Sequence, residues 1–282
     1  MPDKYTSEPP ESCFFAAPEG SFLKKGKMKY FWKQEFDLPK GIGYGRFSAA
    51  HILTLCVIAA LIILGTRLFV RCSAQAQETV LRAIPPVMVG LEVWKDLFLV
   101  SVHRFSIGYL PLHLCSLGII PFFGAAYARS SKWQKIWGEI SFCLILPGAV
   151  SALIFPDWAN LYPVFNFINL HSFVWHGLLV FFPVLLRAGG RIQPSVRHIH
   201  YSLLFLCVIV PPIFIFDKMT GCNYLFVNRP VSGTPLETLA DLMGNPGYLI
   251  GYAALVVCVI LLVYGLIRLA ACVGKRIRRK IR

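Results

Sequence analysis

Seven apolar stretches, each about twenty residues long, occupy most of this 282-residue chain. A helix needs about 20 apolar residues to cross the hydrocarbon core of a bilayer, and within lipid only helices and closed barrels satisfy every backbone group. Only 15% of the residues are charged, whereas soluble domains carry about 25%. The sequence therefore predicts an all-α, polytopic membrane bundle of seven transmembrane helices. The predicted spans are residues 49–70, 80–102, 109–128, 136–154, 164–186, 198–216 and 248–273.

Basic residues in the connecting segments predict the orientation of this bundle. Arg and Lys cluster after the first, third and fifth spans and at the C-terminus, and are sparse in the alternate segments. Because cytoplasmic loops are enriched in Lys and Arg, we expect the C-terminus inside and, with seven spans, the N-terminus outside. The seven basic residues between Lys24 and Arg46 argue the other way, but three loops and the C-terminus outweigh them.

The remaining segments differ in composition. Residues 1–28 are polar and aperiodic, which predicts a disordered tail, and residues 29–48 mix aromatic with charged residues, as interfacial segments do. The membrane domain covers residues 49–273, and residues 274–282 form a basic cytoplasmic tail. The longest connection, 217–247, is rich in turn-forming residues and is predicted to be an ordered outer loop, either a lid or a plain connector. Its sequence Thr-Pro-Leu-Glu at 234–237 predicts the start of a short helix.

The formal net charge of +14 does not indicate nucleic-acid binding, because no basic amphipathic module or stacking platform accompanies it. Membrane lipid is the expected partner, with anionic head groups at the basic C-terminus; the oligomeric state is not predicted. The nine cysteines form no Cys-x-x-Cys pair, which argues against a disulfide framework. We expect no cofactor and no metal site.

Charged residues inside the second predicted span require a partner or a function. Glu92, Lys95 and Asp96 are three and four residues apart and share one helix face. An unpaired charge in the bilayer costs several kcal/mol, so a Glu92–Lys95 ion pair pointing inward is expected. That pair is either a structural lock between helices or part of a functional site.

The third and fifth predicted spans contain the other polar residues that are candidates for a functional site. His113, Cys115 and Ser116 open the third span, and any base that activates Cys115 must come from another helix, because residues 113 and 115 lie on different faces. In the fifth span Asn166, Asn169 and His176 form a polar stripe, and His171 points to the other side. Each of these residues is either buried for structural reasons or faces a hydrated cavity.

Several motifs resemble one known family. Glu92, the sequence LPLHLCSLG at 110–118, His176-Gly177 and the loop GCNYLFVNRPVSGTPLETLADLMGNPGY at 221–248 are similar to those of the bacterial YwaF-like integral membrane proteins. That family is distantly similar to animal transmembrane acyltransferases, which move acyl chains between phospholipids with a membrane cysteine. In the animal pattern the cysteine directly precedes the histidine that resembles His113. Here Leu112 occupies that position, and Cys115 is the nearest thiol.

Three functional hypotheses follow. The first is a lipid-acting enzyme, for acyl transfer or hydrolysis, in which His113 or His176 activates Cys115 or Ser116. The second is a transporter or binding protein for a small polar solute or protons, and the third is a non-catalytic membrane scaffold. The expected location is the cell membrane, and the resemblance implies a bacterial plasma membrane. The outward-opening cavity is expected to be lined by Glu92, Lys95, His113, Asn166, Asn169, His171, His176, Asn223 and Tyr224.

Overall fold

A computed structural model of the protein describes residues 27–281, without the side chains of residues 27–28, 270–271 and 273–281. The tail predicted at residues 1–28 thus falls almost entirely outside the described residues. All regular structure in the described range is helical. The α-helices are α1 (Ala49–Phe69), α2 (Ala74–Ser101), α3 (Leu114–Leu117), α4 (Ile119–Tyr127), α5 (Ser131–Ile140), α6 (Leu146–Ile154), α7 (Phe167–Ala188), α8 (Ile199–Thr220), α9 (Pro235–Met243) and α10 (Tyr248–Ile281).

Five helical stretches of the described chain are long and apolar enough to cross a membrane, so the prediction of a polytopic helical membrane protein is confirmed at that level. They are Ala49–Phe69, Ser131–Asn160, Phe167–Ala188, Val196–Thr220 and Tyr248–Leu269. Two of the seven predicted spans fall outside these limits: α2 is long but carries charged residues, and the apolar stretch Leu114–Tyr127 is short.

The core of the bundle forms around α7, which packs against α1, α2 and α6. Phe182 of α7 stacks on Phe122 of α4 with ring centroids 4.3 Å apart, and both side chains are fully buried. In contrast, few side chains of α1 and of residues 248–269 in α10 are buried inside the bundle. Such exposed apolar helix surfaces are what lipid covers in a membrane protein.

The fourth predicted span contains an irregular turn just before Pro147. Residues Ser141–Ile145 form a π-helical turn between α5 and α6. Pro147 has no backbone N–H, so the carbonyl of Cys143 loses its usual partner four residues along. The widened turn accommodates this loss within one continuous apolar stretch.

A buried carboxylate joins three elements next to that turn. Glu139, 4% exposed, accepts hydrogen bonds from the Ser195 backbone N–H at 2.8 Å and the His198 ring at 2.7 Å. The Tyr264 hydroxyl lies 3.3 Å from the same carboxylate. Glu139 thereby ties α5 to the segment before α8 and to α10.

The segments at the opposite end of the bundle form a common layer, which we call the loop layer: residues 30–47, 102–113, 155–166 and 221–247. Its members contact one another: the Gly45 N–H bonds the Ala159 carbonyl at 3.1 Å, and Arg104 pairs with Asp37 at 3.1 Å. The Tyr224 hydroxyl donates to the Ile107 carbonyl. Most residues of the predicted interfacial segment (29–48) and of the predicted outer loop (217–247) belong to this layer.

Two predicted boundaries can be compared with the helices observed. The short helix expected after residue 234 is present as α9, and the Thr234 hydroxyl accepts a hydrogen bond from the Leu236 N–H at 3.3 Å. Glu237, however, bonds the Gly233 N–H at 2.7 Å, one residue before the cap. The basic tail predicted at residues 274–282 does not begin as a separate segment, because α10 continues to Ile281.

Candidate functional site

The candidate site includes three charged side chains of α2. The Lys95 ammonium lies 2.7 Å from the Glu92 carboxylate and 3.3 Å from that of Asp96, so the predicted ion pair is present. Glu92 is only 7% exposed. A buried carboxylate is tolerated when a neighbouring cation compensates its lost hydration, and Lys95 supplies that charge here.

Two histidines of α7 each have one ring nitrogen engaged, and His171 interacts electrostatically with Lys95 of this ion pair and with His176. The His171 Nε2 lies 3.1 Å from the Leu91 carbonyl, and the His176 Nδ1 lies 2.7 Å from the Ser172 carbonyl. A carbonyl only accepts hydrogen bonds, so the engaged nitrogen of each neutral ring carries the proton. The second nitrogen is left with a lone pair: Nδ1 in His171 and Nε2 in His176.

His113 completes what we call the imidazole cluster, formed by His113, His171 and His176 with Glu92 and Lys95. It interacts electrostatically with Lys95 and His176. His113 is not inside a helix, contrary to the predicted span: it has extended backbone angles and precedes α3 as its N-cap residue. The cluster thus gathers side chains from α2, α7 and the loop layer.

The surroundings of the His113 ring are aromatic. Its centroid lies 4.9 Å from that of Tyr224 and 5.5 Å from that of Phe226. Neither ring nitrogen makes a hydrogen bond with any residue in the described range 27–281. His113 is half-buried, and an imidazole with two open nitrogens is suited to contact a ligand.

The two candidate nucleophiles lie on the first turns after His113. Cys115 and Ser116 are half-buried in α3, their side chains contact each other, and Cys115 interacts electrostatically with Glu92 and Lys95. Within the described residues, no hydrogen bond joins either side chain to an imidazole. The structure therefore brings nucleophiles and imidazoles into one region without a preformed pair.

The asparagines of the predicted cavity instead hold the loop layer in place. Asn166 caps α7 and donates to the Tyr30 and Lys33 carbonyls at 2.9 and 2.8 Å. Asn169 accepts from the Tyr44 hydroxyl at 2.9 Å and donates to the Val164 carbonyl at 2.8 Å.

Asn223 and Tyr224 have the same kind of role in the outer loop. Asn223 bonds the backbone of Asn228 and Arg229, and Tyr224 bonds Ile107 as described above. Burial raises the pKa of Tyr224 to about 12, so this phenol stays protonated at neutral pH. Tyr224 therefore positions the loop that covers His113.

One neighbour of the cluster was not identified from sequence. The Trp158 ring stacks on His176 with centroids 5.1 Å apart and an interplanar angle of 17°. Its indole N–H is buried without a partner among the described residues. A tryptophan in a short loop of a membrane protein is usually an interfacial anchor, so the sequence held no signal for this contact.

The described residues contain no group of three or more His, Cys, Asp and Glu side chains arranged to hold a metal ion. Two clefts lie outside the imidazole cluster. One, of about 720 Å³, lies between α9 and α10; the other, of about 210 Å³, lies at the far end of the bundle, near Glu78 and Arg191.

Comparison with known proteins gives one match. Residues 46–264 match the sequence model of the TMEM164 family. No curated protein and no solved structure matches the chain. The matched range contains every residue of the imidazole cluster.

Proposed function

Because the chain belongs to the TMEM164 family of transmembrane proteins, we propose that it is a membrane enzyme that acts on the acyl esters of lipids at the imidazole cluster. The observation that carries the proposal is His113, an imidazole with both nitrogens open, which interacts with the half-buried Lys95 ammonium and precedes a thiol and a hydroxyl by two and three residues. General acid–base groups need such geometry, with an unengaged nitrogen within reach of the reacting proton.

In the proposed reaction, an open imidazole nitrogen takes the proton from the Ser116 hydroxyl or the Cys115 thiol. The resulting nucleophile attacks the acyl carbonyl, and the tetrahedral intermediate expels the lipid alkoxide, which takes the proton back from the imidazolium. Water or a lysolipid hydroxyl then releases the acyl group by the reverse sequence. A side-chain rotation that brings the nucleophile to the imidazole precedes the first step.

The resemblance to animal acyltransferases supports this chemistry but does not assign the nucleophile. Leu112 occupies the position of the cysteine in that pattern. Cys115 and Ser116 are the nearest residues that could act as the nucleophile, and single substitutions of each distinguish them. The YwaF-like assignment, and with it a bacterial plasma membrane, stays a prediction.

We further propose that the chain crosses the membrane seven times, with the loop layer outside. Contacts of Arg104 and Ile107 with the rest of the loop layer support this count, because they place the end of α2 at the opposite end of the bundle from its start. The basic segments at the opposite end of the bundle support the orientation, and we propose that the basic C-terminus binds anionic head groups on that side.

The test of the enzymatic proposal is a lipid profile of cells that express the protein or single variants of it. His113→Gln is expected to abolish the change in acyl composition that the wild type causes, and Cys115→Ala or Ser116→Ala to do the same, according to which is the nucleophile. The matched control is His200→Gln, because His200 is exposed at the other end of the bundle. An identical lipidome for wild type and all variants contradicts the proposal.

The buried ion pair of α2 favours one alternative, a transporter or binding protein in which Glu92 takes part in proton movement. Charged residues inside spans commonly mark ion and proton pathways. This alternative predicts uptake of a small polar solute that is lost in Glu92→Gln but retained in Cys115→Ala and Ser116→Ala. The enzymatic proposal predicts loss of lipid turnover in one of the latter two.

A further inference from the structure

The cleft between α9 and α10 differs from the imidazole cluster in composition and position. It is an open cleft with a volume of about 720 Å³. The α10 side of the cleft is apolar, formed by Gly251, Ala254, Leu255 and Cys258. Since a helix rises 1.5 Å per residue, these residues extend the cleft by about 10 Å along a membrane helix.

The upper end of the cleft reaches the loop layer at Gly233 and Glu237, and the Arg46 side chain lies beside it. The Arg46 guanidinium lies 3.6 Å from the position that a Cβ on Gly233 would take. Its ion pair with Asp157 is 3.8 Å long, and Asp157 is largely exposed. Arg46 is half-buried, yet it donates no hydrogen bond to any residue of the described range. A guanidinium with open donors is a preferred partner of phosphate.

An anionic group also contacts Gly233. The Glu237 carboxylate accepts hydrogen bonds from the Gly233 N–H at 2.7 Å and the Ser232 hydroxyl at 2.8 Å. These two donors lower the pKa of Glu237, so the carboxylate stays charged at neutral pH. The upper end of the cleft therefore offers one cation and one anion, a short distance apart.

We propose that this cleft binds a zwitterionic phospholipid, with the phosphate at Arg46, the positively charged end of the head group at Glu237 and one acyl chain along α10. The charges at the rim complement both charges of such a head group, and the small residues of α10 leave room for a chain. The site shares no residue with the imidazole cluster, although the segment Asp157–Asn160 contacts both, through Asp157 on Arg46 and Trp158 on His176. The proposal holds whether or not the cluster turns over a substrate.

The experiment is native mass spectrometry of the full-length protein in detergent, with added phosphatidylcholine or phosphatidylglycerol of identical acyl chains. We expect one phosphatidylcholine to remain bound and phosphatidylglycerol to bind more weakly. Arg46→Gln is expected to reduce phosphatidylcholine binding about tenfold, the effect of losing one charge-assisted pair. Asp157→Asn, which frees Arg46 from its ion pair, is expected to retain or strengthen binding.

A second pair of variants tests whether the acyl chain lies in the cleft, and it separates a blocked cleft from a misfolded protein. Ala254→Phe fills the cleft and is expected to reduce binding, whereas Leu262→Phe, on an exposed part of the same helix, is expected to have no effect. Arg104→Gln is the control for Arg46, because Arg104 lies in the same layer and is paired with Asp37. Equal lipid binding by all variants, or displacement of the lipid by inorganic phosphate alone, overturns the proposal.

Discussion

At the scale of single residues, Asn166 links the start of a membrane helix to a segment more than 130 positions away. Its side-chain oxygen accepts from the Ile168 N–H at 2.9 Å, and its amide group donates to two carbonyls of the loop layer. Removing an N-cap costs about 1 kcal/mol, and each further lost hydrogen bond costs a similar amount. We expect Asn166→Ala to lower the free energy of unfolding by about 2–3 kcal/mol.

Denaturation in detergent, followed by circular dichroism, measures this difference. The matched control is Asn160→Ala, because Asn160 is exposed and surface substitutions usually change stability by less than about 0.5 kcal/mol. If both variants unfold at the same denaturant concentration, Asn166 is not the anchor that its contacts indicate.

Tyr44 provides a residue-scale prediction about pH. Burial raises the pKa of this phenol from 10.0 to about 12. Below pH 10 the phenol is protonated in both the folded and the unfolded state, so its contribution to stability is constant. Between pH 10 and about 12 the unfolded state ionises first, and stability falls as the pH rises. Tyr44→Phe is expected to reduce this loss, measured as a smaller decrease in melting temperature between pH 9 and pH 11.

The limits of sequence-based prediction are clear from these residues. The Glu92–Lys95 pair could be predicted because both partners belong to one helical turn, where spacing alone determines proximity. The roles of Asn166 and Asn169 could not, since their partners lie more than 120 residues away in the chain. Helical periodicity places a side chain on a face but does not reveal which segment covers that face.

At the scale of elements, the contact of α4 with α5 depends on one glycine. A Cβ added to Gly124 would lie 2.2 Å from the Trp137 ring, so the two helices approach each other only because this residue has no side chain. We expect Gly124→Ala to lower the free energy of unfolding by about 1–3 kcal/mol, as overpacking does. Gly90 of α2 is the matched control, because a Cβ there would meet nothing within 4 Å.

The two substitutions should change stability in opposite directions. Gly90→Ala removes the entropic cost of a helical glycine and is expected to stabilise the protein by about 0.5–1 kcal/mol. Thermal unfolding of the two variants, each compared with wild type in the same detergent, checks this prediction. A similar destabilisation by both variants would show that the packing of α4 on α5 is not the cause.

Helical elements were also the part of the fold that sequence predicted best. Apolar length is a local property, and the helices of the membrane bundle lie close to their predicted positions. The observed helices differ from the predicted ones at two places, where the backbone does not follow the regular α-helical hydrogen-bond pattern. Pro147 widens the helix into a π turn one turn earlier, and the third predicted span begins at Leu114 because residues before it belong to the loop layer.

At the scale of the whole molecule, the candidate site depends on the loop layer as well as on the helices. The loop layer contributes His113 to the imidazole cluster, and Tyr224, Asn166 and Asn169 hold its segments together. Hydropathy predicted where the connections occur but not that four of them form one layer. Their contacts are polar and aromatic, they join distant parts of the chain, and no periodic pattern in the sequence describes them.

The number of membrane crossings is the prediction that belongs to this scale. Ser106 lies between α2 and α3 and is exposed. If α2 and the stretch Leu114–Tyr127 both cross the membrane, Ser106 lies on the same side as Lys40 and opposite to Ser73. If neither crosses, Ser106 lies on the side of Ser73.

Labelling of three single variants, Lys40→Cys, Ser106→Cys and Ser73→Cys, separates the two cases. Intact cells that express each variant are treated with a membrane-impermeant maleimide. We expect labelling of the first two above the level of wild type, and labelling of the third only after permeabilisation. Wild type is the control for the native cysteines. Labelling of Ser106→Cys only after permeabilisation, together with Ser73→Cys, would reduce the count to five crossings, because the remaining helices keep their order and parity.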